Sequence, residues 1–355
     1  MDIQNRLDQL STVLADKQGV FYILISQLDP DAVGSAIGLQ FLVQQINPDL
    51  QIKIFYCGNV GHPQNMCLLN RYNMLGTVLR HVDDHEFMPC AEGVYYSLVD
   101  SSTVKDNRLG KLKEAFIPCV VIDHHRSELE LTDDMFLWIE ELGSASTLLV
   151  ELIRHYKESV KQDVQLPERL AAALAIGIYT DTKALVTGSM RDREAYGFIS
   201  QFVPVDQLNA LIEYPLPASH YDNFLYALSH MERHGSRLVA SVGYVKPEEG
   251  DDLSTIADYL IRMDGTSMVV VWGIIGNAVR ISARNIDLTT PLDRFLKECF
   301  GERSGAKLTP EGRGEGGALI ELDLGFWLSE STKEEVRALV AKQISSLIFQ
   351  AGPNE

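Results

Sequence analysis

Aliphatic runs alternate with helical patterns along the first half of the chain. The segments VFYILIS, LQIKIFY, GVYYSLV, IPCVVI and MFLWIE are rich in the branched and aromatic residues typical of strands. Between and after them, GSAIGLQFLVQQI, SASTLLVELIRHY and PERLAAALAIGIY carry apolar residues at helical spacing. This alternation predicts an α/β fold with a doubly wound, mainly parallel sheet and helices on both of its faces.

The pattern changes in the second half. SRLVASVGYV predicts a strand, STIADYLIRM a helix, and SMVVVWGIIGNAVRISAR a hairpin that turns at Gly276 and Asn277. PLDRFLKECF, the glycine-rich GRGEGGALIELDL and the final helix TKEEVRALVAKQISSLIF complete a smaller mixed α/β domain. Prolines and mixed polarity between the two halves indicate a partly helical connector. The predicted domains are 1–200 and 221–355, joined by a connector over 201–220.

Composition narrows the classes of function. The chain has 355 residues, of which 46% are hydrophobic, which is enough for two packed cores. Its net charge of -18 disfavours binding along duplex nucleic acid but permits a small anionic ligand. The five cysteines are odd in number and lack CxxC spacing, which argues against a disulfide framework or a zinc knuckle. We therefore expect the protein to be located in a reducing cytoplasm. The opening MDIQNRLDQLSTVL predicts an amphipathic helix rather than a signal peptide, and no apolar run is long enough to span a membrane.

Three predicted strands end in side chains that can bind a metal. These are Asp29 and Asp31 after YILIS, Asp100 after YYSLV, and Asp123, His124 and His125 after CVVI. An aspartate after a strand is also a common turn former or helix cap. However, the carboxyl ends of parallel strands share one crevice, and anions gathered there require a cation. Mixed histidine and carboxylate ligands suit Mn²⁺ better than Ca²⁺ or structural Zn²⁺.

Four ordered motifs, DPDAVGSA, LVDSS, VVIDHHRS and AIGIYTDT, resemble those of the DHH phosphoesterases. The second half resembles the associated DHHA1 substrate domain, and the length and layout are similar to the NrnA-like enzymes, which degrade very short RNA and dephosphorylate pAp. The resemblance implies two Mn²⁺ ions, with Mg²⁺ as the alternative. The implied metal ligands are Asp29, Asp31, Asp100 as a bridge, His124 and Asp181. The resemblance also implies that His125 lies beside the substrate phosphate and that Asp123 orients the histidine pair.

Other residues are implied to contact substrate. Arg284, in VRISARN, corresponds to an arginine that binds a substrate phosphate, although a strand arginine can also simply face solvent. The glycine motif contributes Gly312, Arg313, Gly314, Gly316 and Gly317, whose glycines would either approach an anion or form a flexible loop. His62 and Asn65 follow the strand LQIKIFY and are candidates for contacts in the same crevice. The segment GSAST (143–147) predicts a helix start whose amides need a cap or bind an anion.

Two departures from the family pattern affect the expected activity. Where relatives begin the first motif with a histidine, this chain has Ile25 and Gln27, so one metal site loses a nitrogen ligand. Where many relatives have Gly-Gly-His, this chain has Gly312 and Arg313, and arginine cannot donate a proton near neutral pH.

We expect a phosphoesterase in which two ions generate hydroxide that attacks phosphorus. Its substrates would be short, such as the dinucleotide pGpG, oligonucleotides of a few residues, or pAp. We expect neither long duplex nucleic acid nor a membrane as a partner, and family similarity makes a homodimer an option. Two alternatives stay open: a pyrophosphatase or exopolyphosphatase of the same superfamily, and a nucleotide-binding regulatory protein with impaired catalysis.

Overall fold

The computed structural model describes residues 2–58, 60, 62–88, 91–103, 117–127, 132, 134–160, 164–308, 313–323 and 330–351. The chain divides into two compact units, Met1–Pro215 and Leu216–Glu355, which are called unit 1 and unit 2 below.

The described elements of unit 1 are bounded as follows. Its helices are α1 (Ile3–Ala15), α2 (Pro30–Ile46), α3 (Pro63–Arg71), α4 (Ala145–Ser159), α5 (Glu168–Asp181), α6 (Met190–Ser200) and α7 (Val205–Ile212). Its strands are β1 (Val20–Ile25), β2 (Gln51–Tyr56), β3 (Leu79–His81), β4 (Val94–Val99), β5 (Val120–Asp123) and β6 (Phe136–Ile139).

The strands of unit 1 form one parallel sheet in the order β3-β2-β1-β4-β5-β6. The predicted doubly wound fold is therefore confirmed, although the three-residue strand β3 was not predicted. The strand order reverses direction between β1 and β4, which are neighbours in the sheet. In open α/β sheets, ligands bind beyond the carboxyl ends of the strands at such a reversal.

Helix α2 is buried from Pro30 to Leu39 and packs against α4 and α5. Small residues allow this close approach. A Cβ atom on Gly34 would lie 2.7 Å from both the Ala173 carbonyl oxygen and the Ser146 hydroxyl, and one on Gly177 would lie 2.5 Å from the Ser146 hydroxyl. Since α2 begins with Asp31 in its first turn and α5 ends at Asp181, this packing decides how near the two carboxylates come.

Unit 2 contains a second six-stranded sheet. Its strands are β7 (Met231–His234), β8 (Arg237–Tyr244), β9 (Met268–Ile275), β10 (Ala278–Asn285), β11 (Ser304–Leu308) and β12 (Gly314–Glu321), and its helices are α8 (Ala218–Ser229), α9 (Asp252–Leu260), α10 (Leu292–Phe300) and α11 (Lys333–Gln350). The order is β11-β12-β10-β9-β8-β7, with β8 and β9 parallel and the other pairs antiparallel. The predicted mixed α/β second half is confirmed.

Local predictions in unit 2 hold at the hairpin between β9 and β10. Ile275 pairs with Ala278, and Gly276 has a positive φ of 60° at the turn. Strand β7 was not predicted, because all four of its residues are exposed and give no alternating pattern. The predicted connector over 201–220 includes α7 and the beginning of α8.

None of the helices in the described part of the chain is long and apolar enough to cross a membrane.

Candidate metal centre

Asp29 and Asp31 begin helix α2 directly after strand β1. Asp29 is the N-cap of α2, and its Oδ1 atom accepts a 2.9 Å hydrogen bond from the backbone N–H of Ala32. Asp31 lies in the first turn and is completely buried. Asp29 is therefore a helix cap, which is the structural role that an aspartate after a strand commonly has. The capping bond also holds the Asp29 carboxylate at the end of strand β1.

The carboxylate of Asp31 lies at the N-terminus of helix α4. It accepts hydrogen bonds from the backbone N–H groups of Ala145 (2.7 Å) and Ser146 (2.8 Å) and from the hydroxyl of Ser144 (3.0 Å). The amides of the GSAST segment thus bind an internal anion. The unpaired N–H groups and the dipole of α4 stabilise the charge of this buried group.

The ring of His124 has a defined orientation. Its Nδ1 atom lies 3.1 Å from the carbonyl oxygen of Leu142, which can only accept, so Nδ1 carries the proton of this bond. In the neutral ring, Nε2 then keeps its lone pair. Nε2 is buried and has no hydrogen-bond partner among the described residues. This nitrogen is the atom that a metal-binding histidine needs to present.

Three carboxylates surround Nε2 of His124. It lies 3.2 Å from Oδ1 of Asp100, 3.6 Å from Oδ2 of Asp181 and 3.7 Å from Oδ2 of Asp31. Since nitrogen and oxygen ligands lie about 2.0–2.2 Å from such an ion, two ligands of one ion are at most about 4.4 Å apart. All three distances are compatible with a single ion. A donor set of one imidazole and several carboxylates suits a divalent cation such as Mn²⁺.

The pKa values in the site reflect burial first and crowded negative charge second. Burial raises the pKa of Asp29 to about 6, and the charge of Asp31 adds to this rise. Burial also raises the pKa of Asp181 well above its usual value, with further contributions from Asp31, Asp29 and Asp100. For His124, burial acts to lower the pKa, but the charges of Asp31 and Asp181 outweigh it and the pKa rises. A bound cation would relieve this repulsion.

Asp100 follows strand β4 in an unusual backbone conformation. Its φ of 52° lies in the left-handed region, which aspartate tolerates better than most residues. Its N–H donates to the Ile122 carbonyl at the end of β5, and its Oδ1 atom lies 3.7 Å from Nδ1 of His125 as well as close to His124. Asp100 therefore faces both histidines, and its expected role as a bridge between two ions stays a prediction.

Asp123 orients one histidine of the pair. Its Oδ1 atom is 2.8 Å from Nδ1 of His125 and also accepts the backbone N–H of His125. Although burial opposes it, this bonding lowers the pKa of Asp123. His124 is oriented by Leu142 instead, so Asp123 holds His125 alone. The His125 side chain is 53% exposed, and its expected contact with a substrate phosphate stays a prediction.

Two further candidates of unit 1 lie at helix α3. His62 is the N-cap of α3, and its Nδ1 atom accepts the backbone N–H of Gln64. Asn65 is fully buried and donates a 2.6 Å hydrogen bond to the carbonyl of Leu28, the residue before Asp29. Asn65 thus steadies the loop that carries Asp29, while contacts of either residue with substrate stay predictions.

In unit 2, Arg284 lies on β10 with its guanidinium held by Asp258 of α9. The Nε and Nη2 atoms donate to the two Asp258 oxygens at 2.6 and 3.0 Å. This is the two-bond geometry that arginine also offers to phosphate. The Arg284 side chain is 13% exposed and that of Asp258 is 51% exposed.

The glycine motif forms a strand rather than a loop. Gly314, Gly316 and Gly317 lie in β12, which is paired with β10 on one side and β11 on the other. A Cβ atom on Gly317 would lie 2.4 Å from the Ile281 carbonyl oxygen, and one on Gly316 would lie 2.6 Å from Cβ of Ala306. Close strand packing therefore explains these glycines without a ligand. Arg313 is exposed just before the strand, and Gly312 lies outside the described residues.

Several residues of the site were not predicted from the sequence. Leu142, Ser144 and Ser146 hold His124 and Asp31, yet the only signal was the GSAST helix start. Asp181 was expected from family resemblance alone, and the structure brings its carboxylate to His124. Asp29 lies near enough to Asp181 and His124 for their charges to interact. The histidine that the family resemblance led us to expect in the first motif is absent, since positions 25 and 27 are Ile25 and Gln27.

The chain is similar to proteins of known sequence and structure. Residues 21–178 match the sequence profile described as "DHH family, N-terminal domain". An uncharacterized protein of Methanocaldococcus jannaschii is 29% identical over 326 residues, which cover 91% of this chain and 62% of that protein. This chain therefore spans less than two thirds of that relative.

Two other proteins are similar over different extents. A protein of Streptococcus mutans described as "Probable manganese-dependent inorganic pyrophosphatase" is 24% identical over 161 residues, 44% of this chain and 46% of that protein. The crystal structure of an exopolyphosphatase-related protein from Bacteroides fragilis matches with a TM-score of 0.67 at 16% identity and covers 98% of both chains. At that identity, the structural match supports the fold alone.

Proposed function

We propose that this protein, whose residues 21–178 match the DHH family, N-terminal domain, is a divalent-metal-dependent hydrolase of phosphate esters. One observation carries the proposal: the buried Nε2 atom of His124 faces three carboxylates and has no hydrogen-bond partner among the described residues. The residues that would hold the ion are Asp31, Asp100, His124 and Asp181. When bound, such an ion polarises a phosphoryl oxygen and lowers the pKa of a water molecule.

Two of these side chains, His124 and Asp31, are already held in place by hydrogen bonds to the protein. The Leu142 carbonyl fixes the ring of His124, and the N-terminus of α4 fixes the carboxylate of Asp31. Because neither side chain has to reorganise when an ion or substrate arrives, the site is preorganised for its chemistry. A second ion is the finer part of this proposal, and it would draw on Asp29 together with Asp100.

His125 is the residue that we assign to the substrate phosphate. Its Nδ1 atom is bonded to the buried carboxylate of Asp123, so the ring orientation is fixed. When the ring is protonated, Nε2 can donate a hydrogen bond to an anion while Nδ1 stays bonded to Asp123. More than half of the side chain is exposed, which leaves it accessible to a ligand.

Short phosphorylated nucleotides, as in the NrnA-like enzymes, are the substrates that we propose. The net charge of -18 disfavours long polyanions. Arg284 would bind a phosphate by exchanging its Asp258 partner, whose side chain is 51% exposed. The phosphate would then take the two-bond position of the Asp258 carboxylate. The next residue on α9, Tyr259, is 50% exposed, and Arg262 lies over its ring. An exposed ring of this kind can stack on a nucleobase.

Pyrophosphate or polyphosphate hydrolysis is the second candidate. It is favoured by the similarity of 161 residues to the Streptococcus mutans protein described as a manganese-dependent pyrophosphatase. Such substrates need the phosphate-binding groups but no stacking ring. A nucleotide-binding protein with impaired catalysis is a third candidate, since Ile25 and Gln27 stand where relatives have a histidine ligand.

A substrate screen distinguishes these functions. The full chain, with Mn²⁺, Mg²⁺ or EDTA, is incubated with pGpG, pAp, pyrophosphate and polyphosphate, and released mononucleotide and phosphate are measured. We expect Mn²⁺-dependent turnover of pGpG or pAp that is lost in Asp181→Asn, a control against contaminating hydrolases. Turnover of pyrophosphate or polyphosphate alone would favour the second candidate. No turnover, with a rise in Tm on adding nucleotide, would favour the third.

A further inference from the structure

Asp192 is a fully buried carboxylate outside the set of metal-binding candidates. It is the third residue of α6 and forms a capping box with Ser189, accepting its backbone N–H and its hydroxyl, both at 2.7 Å. It also accepts the hydroxyl of Thr147 at 2.6 Å and the backbone N–H of Gly143 at 3.2 Å. The capping of α6 accounts for the first two bonds but not for the bonds from Thr147 and Gly143.

The bond from Gly143 ties Asp192 to the ring of His124 through a single peptide group. The N–H of Gly143 and the carbonyl of Leu142 belong to the same planar peptide unit. The N–H donates to Oδ2 of Asp192, and the carbonyl accepts from Nδ1 of His124. A charged acceptor on the N–H polarises the peptide and strengthens the carbonyl as an acceptor. The connection therefore runs from carboxylate to peptide to imidazole.

The same segment also fixes Asp31. The residues that follow Gly143 supply the three donors to the Asp31 carboxylate, namely Ser144, Ala145 and Ser146. Thr147, one residue further, is the other residue that Asp192 holds. Asp192 thus accepts hydrogen bonds from Gly143 and Thr147, the residues that flank the three donors to Asp31.

Gly143 allows the close contact. A Cβ atom at this position would lie 2.8 Å from Oδ2 of Asp192 and 2.5 Å from a methyl carbon of Thr182. Only glycine lets the peptide approach both groups.

We infer that Asp192 is a positioning residue for the metal centre, which holds the 142–147 segment so that His124 presents Nε2 and Asp31 keeps its orientation. The inference rests on the proposed function in that the centre binds a divalent ion. Carboxylates that act on a metal ligand through hydrogen bonds typically change metal affinity by about 10–100-fold when they are removed. Here the carboxylate acts through one interposed peptide.

The test compares Asp192→Asn with Ser189→Ala in the full chain. Asparagine removes the negative charge and has one acceptor oxygen instead of two, so it cannot accept the hydrogen bonds of both Gly143 and Thr147 at their separate positions. Ser189→Ala weakens the cap of α6 but leaves the bonds from Gly143 and Thr147. We expect Asp192→Asn to weaken Mn²⁺ binding, measured by titration calorimetry, by about 10-fold or more. Ser189→Ala should lower the urea midpoint and leave Mn²⁺ affinity within about twofold of the wild type.

A spectroscopic measurement on metal-free protein gives a second readout. ¹⁵N NMR of the neutral His124 ring reports which nitrogen carries the proton. We expect the Nδ1–H form in the wild type and in Ser189→Ala, and a mixture of both forms in Asp192→Asn. If Asp192→Asn does not fold, Thr147→Val removes one bond at nearly constant volume, and we expect about threefold weaker Mn²⁺ binding.

The inference is overturned if Asp192→Asn folds with wild-type Mn²⁺ affinity and an unchanged His124 tautomer. It is also overturned if only Thr147→Val folds and binds Mn²⁺ as the wild type does. Failure of the proposed function has a different signature. Wild-type protein would then bind no Mn²⁺ or hydrolyse none of the substrates, while the NMR comparison would still decide the role of Asp192.

Discussion

The backbone N–H of Ala145 donates a 2.7 Å hydrogen bond to Oδ2 of Asp31, a residue 114 positions earlier in the chain. The same oxygen atom lies 3.7 Å from Nε2 of His124. The start of α4 thus holds the Asp31 carboxylate in place. Burial raises the pKa values of the neighbouring Asp29 and Asp181, and the charge of Asp31 adds to both rises.

Replacing Asp100 tests its proposed role as a ligand shared by two ions. Asp100→Asn is preferable to alanine, since asparagine tolerates the left-handed backbone at this position. We expect Mn²⁺-dependent turnover to fall by more than about 100-fold, because a direct ligand should matter more than its supporting residues. The Tm of the metal-free protein should stay equal or rise, since one negative charge is removed. Asp222→Asn, at an exposed position of α8, is the matched control, and retained turnover in Asp100→Asn would exclude the bridging role.

The pH dependence of stability should reveal the crowded carboxylates. The folded-state pKa of Asp29, about 6, lies above its unfolded value, so its protonated form stabilises the fold. This contribution is complete below pH about 4 and is lost as the pH rises to about 6. Asp181 and His124, whose pKa values are also raised, act in the same direction. From Asp29 alone we expect a loss on the order of 3 kcal/mol, because its pKa lies about two units above the unfolded value and each unit corresponds to about 1.4 kcal/mol.

Urea unfolding between pH 4.5 and 7.5 measures this effect in EDTA and in excess Mn²⁺. In EDTA, Asp181→Asn should gain stability over the wild type as the pH rises. In Mn²⁺ the order should reverse, because the ion neutralises the carboxylates and the variant has lost a ligand. A variant difference that does not vary with pH would contradict the raised pKa of Asp181.

The contact between α2 and α5 should tolerate no added methyl group at Gly177. The new Cβ atom would lie 2.5 Å from the Ser146 hydroxyl and 3.0 Å from Cα of Asp31. Relieving these contacts would require the backbone of α2 to shift at Asp31, which is energetically costly. We expect Gly177→Ala to destabilise the protein by about 1–3 kcal/mol and to weaken Mn²⁺ binding. Gly197→Ala on α6 is the matched control, since nothing lies within 4 Å of its Cβ position. The control should gain about 0.5–1 kcal/mol from helix propensity.

Replacing Arg284 and replacing Asp258 should change KM in opposite directions. Arg284→Ala should raise KM for phosphorylated substrates, because the two-bond anion site is lost. Asp258→Asn should lower KM, because the carboxylate no longer competes for the guanidinium. Arg280→Ala, on the same strand, should leave KM unchanged. Steady-state kinetics on the best substrate of the screen decide this, and equal KM values in all three variants would remove Arg284 from substrate binding.

The sequence by itself determined the elements and the type of chemistry. Apolar runs and turn residues predicted the parallel sheet of unit 1 and the hairpin at Gly276, because these signals are local and act within a few residues. It also placed Asp31, Asp100 and His124 at strand ends, from which a parallel sheet brings side chains to one edge.

Only the tertiary structure decided which atoms face one another. Three hydrogen bonds of the site join residues from separate helices and loops. They run from Ala145 at the start of α4 to Asp31, from His124 to Leu142, and from Gly143 to Asp192. The glycine motif became a paired strand because β10 and β11 approach its backbone closely. Such contacts depend on how helices and strands pack at distances of a few ångströms, and no local pattern in the chain encodes that packing.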